Sequence, residues 1–263
     1  MPPPVNAMPP ALKLLLCVAL ASVVGTAPAA LKWSVAVAQQ VAPQADKVRA
    51  DRLYNQGLQQ FNTSQYSAAL ESWQEALEIY RALGEREDEG DTLNALGALF
   101  RITGQPQAAI EYHQQALEIA RKLDDLPEER LRQRAAEGRA LGNLGSVYLN
   151  LGRYPQAIDL YEQQLAISRE LSERVGEGIG LGNLGSVYLS LGQYRQAIDL
   201  YEQQLAITRD IGDRAGTGRA LGNLGIAHSN LGQYRQAIDL YEQQLAITRD
   251  IGDRAGTGRA LGN

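Results

Sequence analysis

Apolar residues along most of this chain recur at spacings of three and four, which is the spacing of one face of an α-helix. In a representative stretch, Leu181, Leu184 and Tyr188 share such a face. A second run over residues 194–211 carries two apolar stripes, as expected of a helix that packs between two neighbours. Gly192 separates the runs and suits the left-handed turn that ends a helix. No segment alternates with a period of two, so we predict an all-α chain built of helix pairs.

The helix pair repeats along the chain with a period of about 40 residues, within the range typical of repeat proteins. Segments 183–222 and 223–262 differ at only five positions, whereas earlier copies are more diverged. The second and third copies are farther apart, from Ile110 to Ile158, and the extra residues lie within 122–136. A fixed period of this kind is typical of a solenoid, in which each unit buries its apolar face against its neighbours. We predict units at about 51–89, 90–124, 138–177, 178–217 and 218–257, followed by a truncated sixth unit at 258–263.

Each unit has a glycine within its first helix, and in most units an aromatic residue follows three positions later, with a small residue early in the second helix. In the third unit these residues are Gly145, Tyr148 and Ala157. This pattern resembles the tetratricopeptide repeat (TPR) family from about residue 51 to the end. The longer period and the recurring Leu-Gly-Asn are similar to the repeats of polarity adaptors, kinesin light chains and bacterial arrays that end in a caspase-like peptidase domain. The resemblance implies a right-handed superhelical solenoid of helix-turn-helix units.

The later units depart from that pattern. The small residue before a leucine of the second helix is replaced by glutamine, at Gln164, Gln204 and Gln244. Glycines also stand inside the first helix, each costing about 1 kcal/mol relative to alanine: Gly142, Gly182 and Gly222. We interpret these glycines as places where a neighbouring helix, rather than a ligand, comes close.

The polar side of the first helix is the candidate binding surface, and by resemblance it faces the concave groove. In the third unit its residues are spaced i, i+4, i+7 and i+11: Arg139, Asn143, Ser146 and Asn150. An asparagine amide can pair with a peptide backbone, and an arginine can bind a carboxylate. The candidates in the next two units are Asn183, Ser186, Arg219, Asn223 and Asn230. The alternative is a solvated helix face on which these residues are only tolerated.

Composition argues against most catalytic chemistry. A net charge of −5 gives no basic surface for nucleic acid, and one cysteine and two histidines give little material for a metal site. His113 occupies the position of Trp73 and Tyr161, so we interpret it as a packing residue. We therefore expect a non-catalytic scaffold that binds a protein or peptide and needs no cofactor. The alternative is the targeting array of a larger enzyme such as a caspase-like peptidase. We expect the chain to be truncated within its sixth copy, with an uncapped end available for self-association.

The amino-terminal segment, residues 1–38, differs from the rest of the chain. Lys13 precedes an apolar run, and small residues lead to Ala36 and Ala38, which form an A-x-A cleavage site. We predict a signal peptide over 1–38, a linker over 39–50, and an extracytoplasmic protein, either periplasmic or secreted. A second cleavage site at residues 27–29 and an uncut membrane anchor are the alternatives.

Overall fold

The computed structural model describes residues 29–122 and 127–262, in which all regular structure is helical. Residues 1–28, which hold most of the predicted signal peptide, lie outside the described part, as do 123–126 and residue 263. The helices are α1 (Ala29–Asn62), α2 (Tyr66–Leu83), α3 (Arg86–Ile102), α4 (Pro106–Lys122), α5 (Pro127–Asn150), α6 (Tyr154–Glu170), α7 (Arg174–Ser190), α8 (Tyr194–Asp210), α9 (Arg214–Asn230), α10 (Tyr234–Asp250) and α11 (Arg254–Gly262).

Consecutive helices pair into five units, α1–α2, α3–α4, α5–α6, α7–α8 and α9–α10, and α11 begins a sixth. Each second helix also packs against the first helix of the next unit. The first helices additionally contact one another, α3 with α5, α5 with α7, α7 with α9 and α9 with α11. The first helices therefore form the inner layer of a curved array, and the prediction of an all-α solenoid is confirmed.

The helix pairs begin earlier along the chain than the units drawn from the sequence. The fourth pair starts at Arg174, because the side chain of Glu173 caps α7 by accepting a hydrogen bond from the Gly176 N–H at 3.2 Å. Residues 39–50, which were expected to be a linker, lie inside helix α1. The last of them, Ala50, is fully buried, so the packed array extends to this point.

In the second to fifth units, the turn between the two helices has the form expected from its glycine, whereas Ser64 takes this position in the first unit with a φ of 60°. Gly192 adopts a φ of 73°, in the left-handed region. The following N–H, that of Gln193, donates to the Tyr188 carbonyl oxygen at 2.9 Å and so satisfies one of the free carbonyls at the end of α7. The second helix then begins at Tyr194.

In every unit, a ring on the second helix packs over a glycine of the first helix. In the third unit Tyr161 is buried, and a Cβ added to Gly145 would lie 2.7 Å from its ring. The other pairs are Gly57 with Trp73, Gly97 with His113, Gly185 with Tyr201 and Gly225 with Tyr241. His113 is fully buried in this position, which confirms its interpretation as a packing residue.

Two kinds of polar contact close the junctions between units. At the first three junctions, one glutamate of the incoming helix binds two arginines. Glu89 accepts hydrogen bonds from Arg81 and Arg86, both at 2.9 Å. The same arrangement holds Glu137 between Arg121 and Arg134, and Glu177 between Arg169 and Arg174. At the last two junctions a threonine replaces the glutamate, and the hydroxyls of Thr217 and Thr208 lie 3.2 Å apart.

Candidate peptide-binding surface

The nine predicted site residues lie on one side of the first helices of the third, fourth and fifth units, and each of them is half-buried or exposed. On α7 this side consists of Val175, Ile179, Asn183, Ser186 and Ser190, and none of these five residues is fully buried. We call this line of residues, and the matching lines on α5 and α9, the inner stripes. Because the three first helices contact one another, their inner stripes run side by side.

The asparagines of the inner stripes are half-buried and reach toward the preceding unit. Asn143 donates from Nδ2 to Asn94 Oδ1, and Asn183 donates from Nδ2 to Gln164 Oε1, both at 3.4 Å. These are long hydrogen bonds, near the limit for a useful contribution. Asn223, in the fifth unit, is also half-buried. Each asparagine has a carbonyl oxygen and a second amide hydrogen beyond these contacts, which suffice to pair with a peptide group.

The two serines of the predicted site serve the core instead of the surface. Ser146 Oγ donates to the carbonyl oxygen of Gly142 at 3.0 Å and accepts from the Tyr161 hydroxyl at 3.0 Å. Ser186 makes the same two contacts, with Gly182 and Tyr201. Each serine hydroxyl therefore has its only proton engaged inside the unit. The i+7 spacing places these serines on the inner stripe, but contacts inside the unit use the hydroxyl proton and one of its two acceptor lone pairs.

The arginines of the inner stripes are exposed and lightly paired. Arg139 Nη2 lies 3.0 Å from Asp91 Oδ1 of the preceding unit, and Arg219 Nη2 lies 3.7 Å from Asp213 Oδ2. Exposed pairs of this kind contribute from about 0 to 1 kcal/mol, so a partner's carboxylate can replace them. Asn150 and Asn230 are exposed at the ends of their helices, and Asn230 Nδ2 donates to the Ile226 carbonyl oxygen at 2.8 Å.

The structure also brings together two features that the sequence analysis treated separately. The buried amide of Gln164 fills the space over Gly142, where an added Cβ would lie 2.7 Å from Nε2. Gln204 lies over Gly182 and Gln244 over Gly222 in the same way. The interpretation of these glycines as places of close helix approach is confirmed. The sequence already contained a sign of this contact, because the glutamines and the additional glycines occur in the same three units.

Burial leaves some of these polar groups without partners. Within the described part of the chain, three buried side-chain atoms have no hydrogen bond, namely His113 Nε2, Gln204 Oε1 and Gln244 Oε1. Burial, together with the nearby charge of Arg101, lowers the pKa of His113 to about 4. The His113 ring is therefore neutral at pH 7, and its Nδ1–H donates to Asn94 Oδ1 at 3.1 Å.

The described ranges contain no group of three or more histidine, cysteine, aspartate or glutamate side chains arranged to hold a metal ion. Among the helices of residues 29–122 and 127–262, none has the length and apolar character needed to cross a membrane.

Several solved structures share this architecture. Aspartyl phosphate phosphatase F from Bacillus subtilis superposes with a TM-score of 0.73 at 15% identity, over 89% of this chain and 60% of that one. A Rap protein complexed with Competence and Sporulation Factor gives 0.69 at 18% identity, over 79% of this chain and 56% of that one. A putative kinesin light chain from Podosopora anserina, with nearly identical TPR-like repeats, gives 0.59 at 22% identity, over 79% of this chain and 98% of that one.

These identities establish a shared fold and nothing further, and this chain spans only 60% and 56% of the two bacterial structures. No curated protein sequence matches the chain significantly. The sequence profile of the tetratricopeptide repeat matches residues 49–122, 136–210 and 179–250, which together make up well over half of the chain. The chain belongs to the tetratricopeptide repeat family.

Proposed function

We propose that this protein is a non-catalytic scaffold that binds an extended segment of a partner protein across the inner stripes of α5, α7 and α9. A repeat array of this family supports a role in protein interaction. The observation that carries the more specific proposal is the alignment of three inner stripes on adjacent first helices, each with a half-buried asparagine, and with exposed arginines on two of them.

The hydrogen bonds within the units indicate which side chains of the inner stripes would contact the partner. Asn143, Asn183 and Asn223 supply amide groups for the partner's backbone, and Arg139 and Arg219 supply charge for its acidic side chains. Ser146 and Ser186 are engaged by the core, so in this proposal they support the surface without contacting the partner. The Rap protein is complexed with Competence and Sporulation Factor, which is evidence about that protein and makes a binding role for a similar array reasonable here.

The test is a pair of variants measured against a partner recovered with the full chain. Replacing Asn143, Asn183 and Asn223 by alanine should weaken binding by about 1 kcal/mol per lost hydrogen bond. Helicity should be retained, because alanine is the better helix former and offsets the loss of the long contacts to Asn94 and Gln164. Isothermal titration calorimetry measures the first effect and circular dichroism the second.

The chain provides matched controls for this test. Asn55 occupies the equivalent position in the first unit and is exposed, with its Nδ2 donating to the Asp51 carbonyl oxygen at 2.8 Å. Asn55→Ala should leave partner binding unchanged. Arg139→Ala with Arg219→Ala should reduce both the affinity and its salt dependence, whereas Arg195→Ala on the second helix of the fourth unit should change neither. Unaltered binding by the triple asparagine variant would overturn the proposal.

We also propose that the mature protein acts outside the cytoplasm, on the strength of the amino-terminal pattern of a charged residue, an apolar run and an A-x-A site. Amino-terminal sequencing of the protein from cells tests this. A start near residue 30 or at Gln39 is expected, and an intact Met1 on cytosolic material would contradict export. The second interpretation, an array attached to a larger enzyme, stays a prediction.

A further inference from the structure

The inner stripe of α7 differs from its neighbours in one respect. At its amino-terminal end it exposes two aliphatic side chains, Val175 at 51% and Ile179 at 46%. The corresponding residues are Ala135 and Arg139 on α5, and Ala215 and Arg219 on α9. The inner surface therefore has an apolar step, formed by Val175 and Ile179, with an exposed arginine in the next unit on each side.

The fold itself does not require this step. Valine and isoleucine are poorer helix formers than alanine or arginine, because branching at Cβ restricts their rotamers. The neighbouring units show that alanine and arginine are compatible with the same helix position and the same packing. Single exposed aliphatic residues are common on protein surfaces and need no explanation. Val175 and Ile179, however, are two exposed aliphatic residues on one helical turn, with an arginine in the unit on each side. They form an apolar surface between two positive charges.

Building on the proposed function, we infer that the apolar step binds one apolar side chain of an extended partner segment, with an acidic residue on each side of it. Adjacent packed helices lie about 10 Å apart, and an extended chain advances about 3.3 Å per residue. Successive units are therefore about three residues apart along the partner. The recognised pattern is an acidic residue, then an apolar residue three positions later, then an acidic residue three positions after that.

The charges around the step favour this occupant. Arg139 and Arg219 bring two exposed positive charges to the inner surface, and each is paired only with an exposed or half-exposed carboxylate, Asp91 or Asp213. A partner segment with basic residues at the flanking positions would meet like charge, whereas acidic residues can form charge-assisted hydrogen bonds with the guanidinium groups. The aliphatic surface between the arginines gains from covering by another apolar side chain.

The experiment uses the full chain and labelled synthetic peptides, with affinity measured by fluorescence anisotropy. One peptide has glutamates six positions apart with a leucine midway, and a second has serine in place of the leucine. A third has the leucine moved by one position. The parent protein should bind the first peptide about tenfold more tightly than the second or the third, because only in the first does the leucine reach the step.

The decisive variant is Val175→Ala with Ile179→Arg, which gives α7 the residues that α5 and α9 already have at these positions. This design keeps the risk of misfolding low, and circular dichroism verifies the fold. In the variant the preference for leucine over serine should disappear, while a peptide with glutamate at the centre should bind more tightly than it does to the parent. A second variant, Ile179→Ala, should reduce the leucine preference without adding charge.

The outcomes separate this inference from the proposed function. If the parent binds the leucine and serine peptides equally, or the double variant keeps the leucine preference, the apolar step is not a recognition site. If, in addition, binding still depends on Arg139 and Arg219, the inner surface remains a peptide-binding surface and only the inference is wrong. If none of the peptides binds, the inference fails, and the proposed function then depends on the test with the recovered partner.

Discussion

The first two units and the last three reach the same helix packing with opposite distributions of side-chain volume. In the first and second units the first helix carries the larger residue, Tyr54 or Asn94, and the second helix carries alanine, Ala76 or Ala116. In the last three units the first helix carries glycine and the second helix carries glutamine, as in the pair of Gly182 and Gln204. The crossing thus exchanges which helix supplies the larger side chain, and in the second unit the pair of Asn94 and Ala116 is close in size to the pair of Gly182 and Gln204.

This exchange also changes the chemistry near the inner surface. A buried glutamine places an amide within reach of the next unit, and Asn183 donates to the amide of Gln164 in this way. Alanine at the same position of the first two units offers no such acceptor. In the half of the array that carries the candidate binding surface, the third and fourth units therefore meet through a pair of amides.

The largest expected effect comes from breaking the volume exchange. Gly182→Asn alone places a side chain in the space occupied by Gln204, so we expect a loss of about 2 to 3 kcal/mol in the free energy of unfolding. Gly182→Asn combined with Gln204→Ala recreates the pair of the second unit, Asn94 and Ala116. This double variant should recover most of the loss, to within about 1 kcal/mol of the parent.

Urea unfolding followed by circular dichroism gives these free energies, and Gln204→Ala alone completes the cycle. If the double variant is no more stable than Gly182→Asn, the losses simply add, and complementary volume is not what the two arrangements share. Thermal melting of the same four proteins should show the same order of stability.

The ring position provides a second contrast, because the second unit holds a histidine where the other units hold tryptophan or tyrosine. The pKa of His113 is about 4 in the folded protein, lowered first by burial and then by Arg101, against about 6.5 for an unperturbed histidine. As the pH falls, the unfolded chain takes up the proton first. The contribution of the neutral His113 ring to stability is complete above about pH 6.5 and is lost progressively down to about pH 4. Between pH 6.5 and 5 we expect a loss of about 2 kcal/mol.

His113→Phe is the matched variant, because it keeps a ring over Gly97 and removes the titrating group. Its free energy of unfolding should vary less with pH between 6.5 and 5 than that of the parent. Parallel curves for the parent and His113→Phe would contradict the assignment of the acid sensitivity to this ring.

The period of the sequence was sufficient to predict the fold, because near-identical copies of a helix pair can bury their apolar faces only by stacking. The period was not sufficient to predict where each unit begins. The fourth unit begins after Glu173, because the side chain of Glu173 caps the helix by accepting a hydrogen bond from the Gly176 N–H. That the stripe residues share one side of their helix was predictable from helical spacing alone. The engagement of Ser146 by Tyr161 was not, because that contact joins two helices whose relative rotation the spacing does not define.

The smallest expected effect distinguishes two almost identical glutamines. Gln164 Oε1 accepts a hydrogen bond from Asn183, whereas Gln204 Oε1 is buried without a partner. Methionine has a similar shape and no amide, so Gln204→Met removes an unpaired carbonyl and should raise the free energy of unfolding by about 1 kcal/mol. Gln164→Met instead removes a paired acceptor and leaves Asn183 half-exposed, where water can replace the bond, so its stability should change little. Urea midpoints for the two variants measure the difference. Equal shifts of the urea midpoint would contradict this difference and would show that Gln204 Oε1 has a hydrogen-bond partner in solution. The first candidate is the amide of Asn223, which corresponds to Asn183 in the next unit.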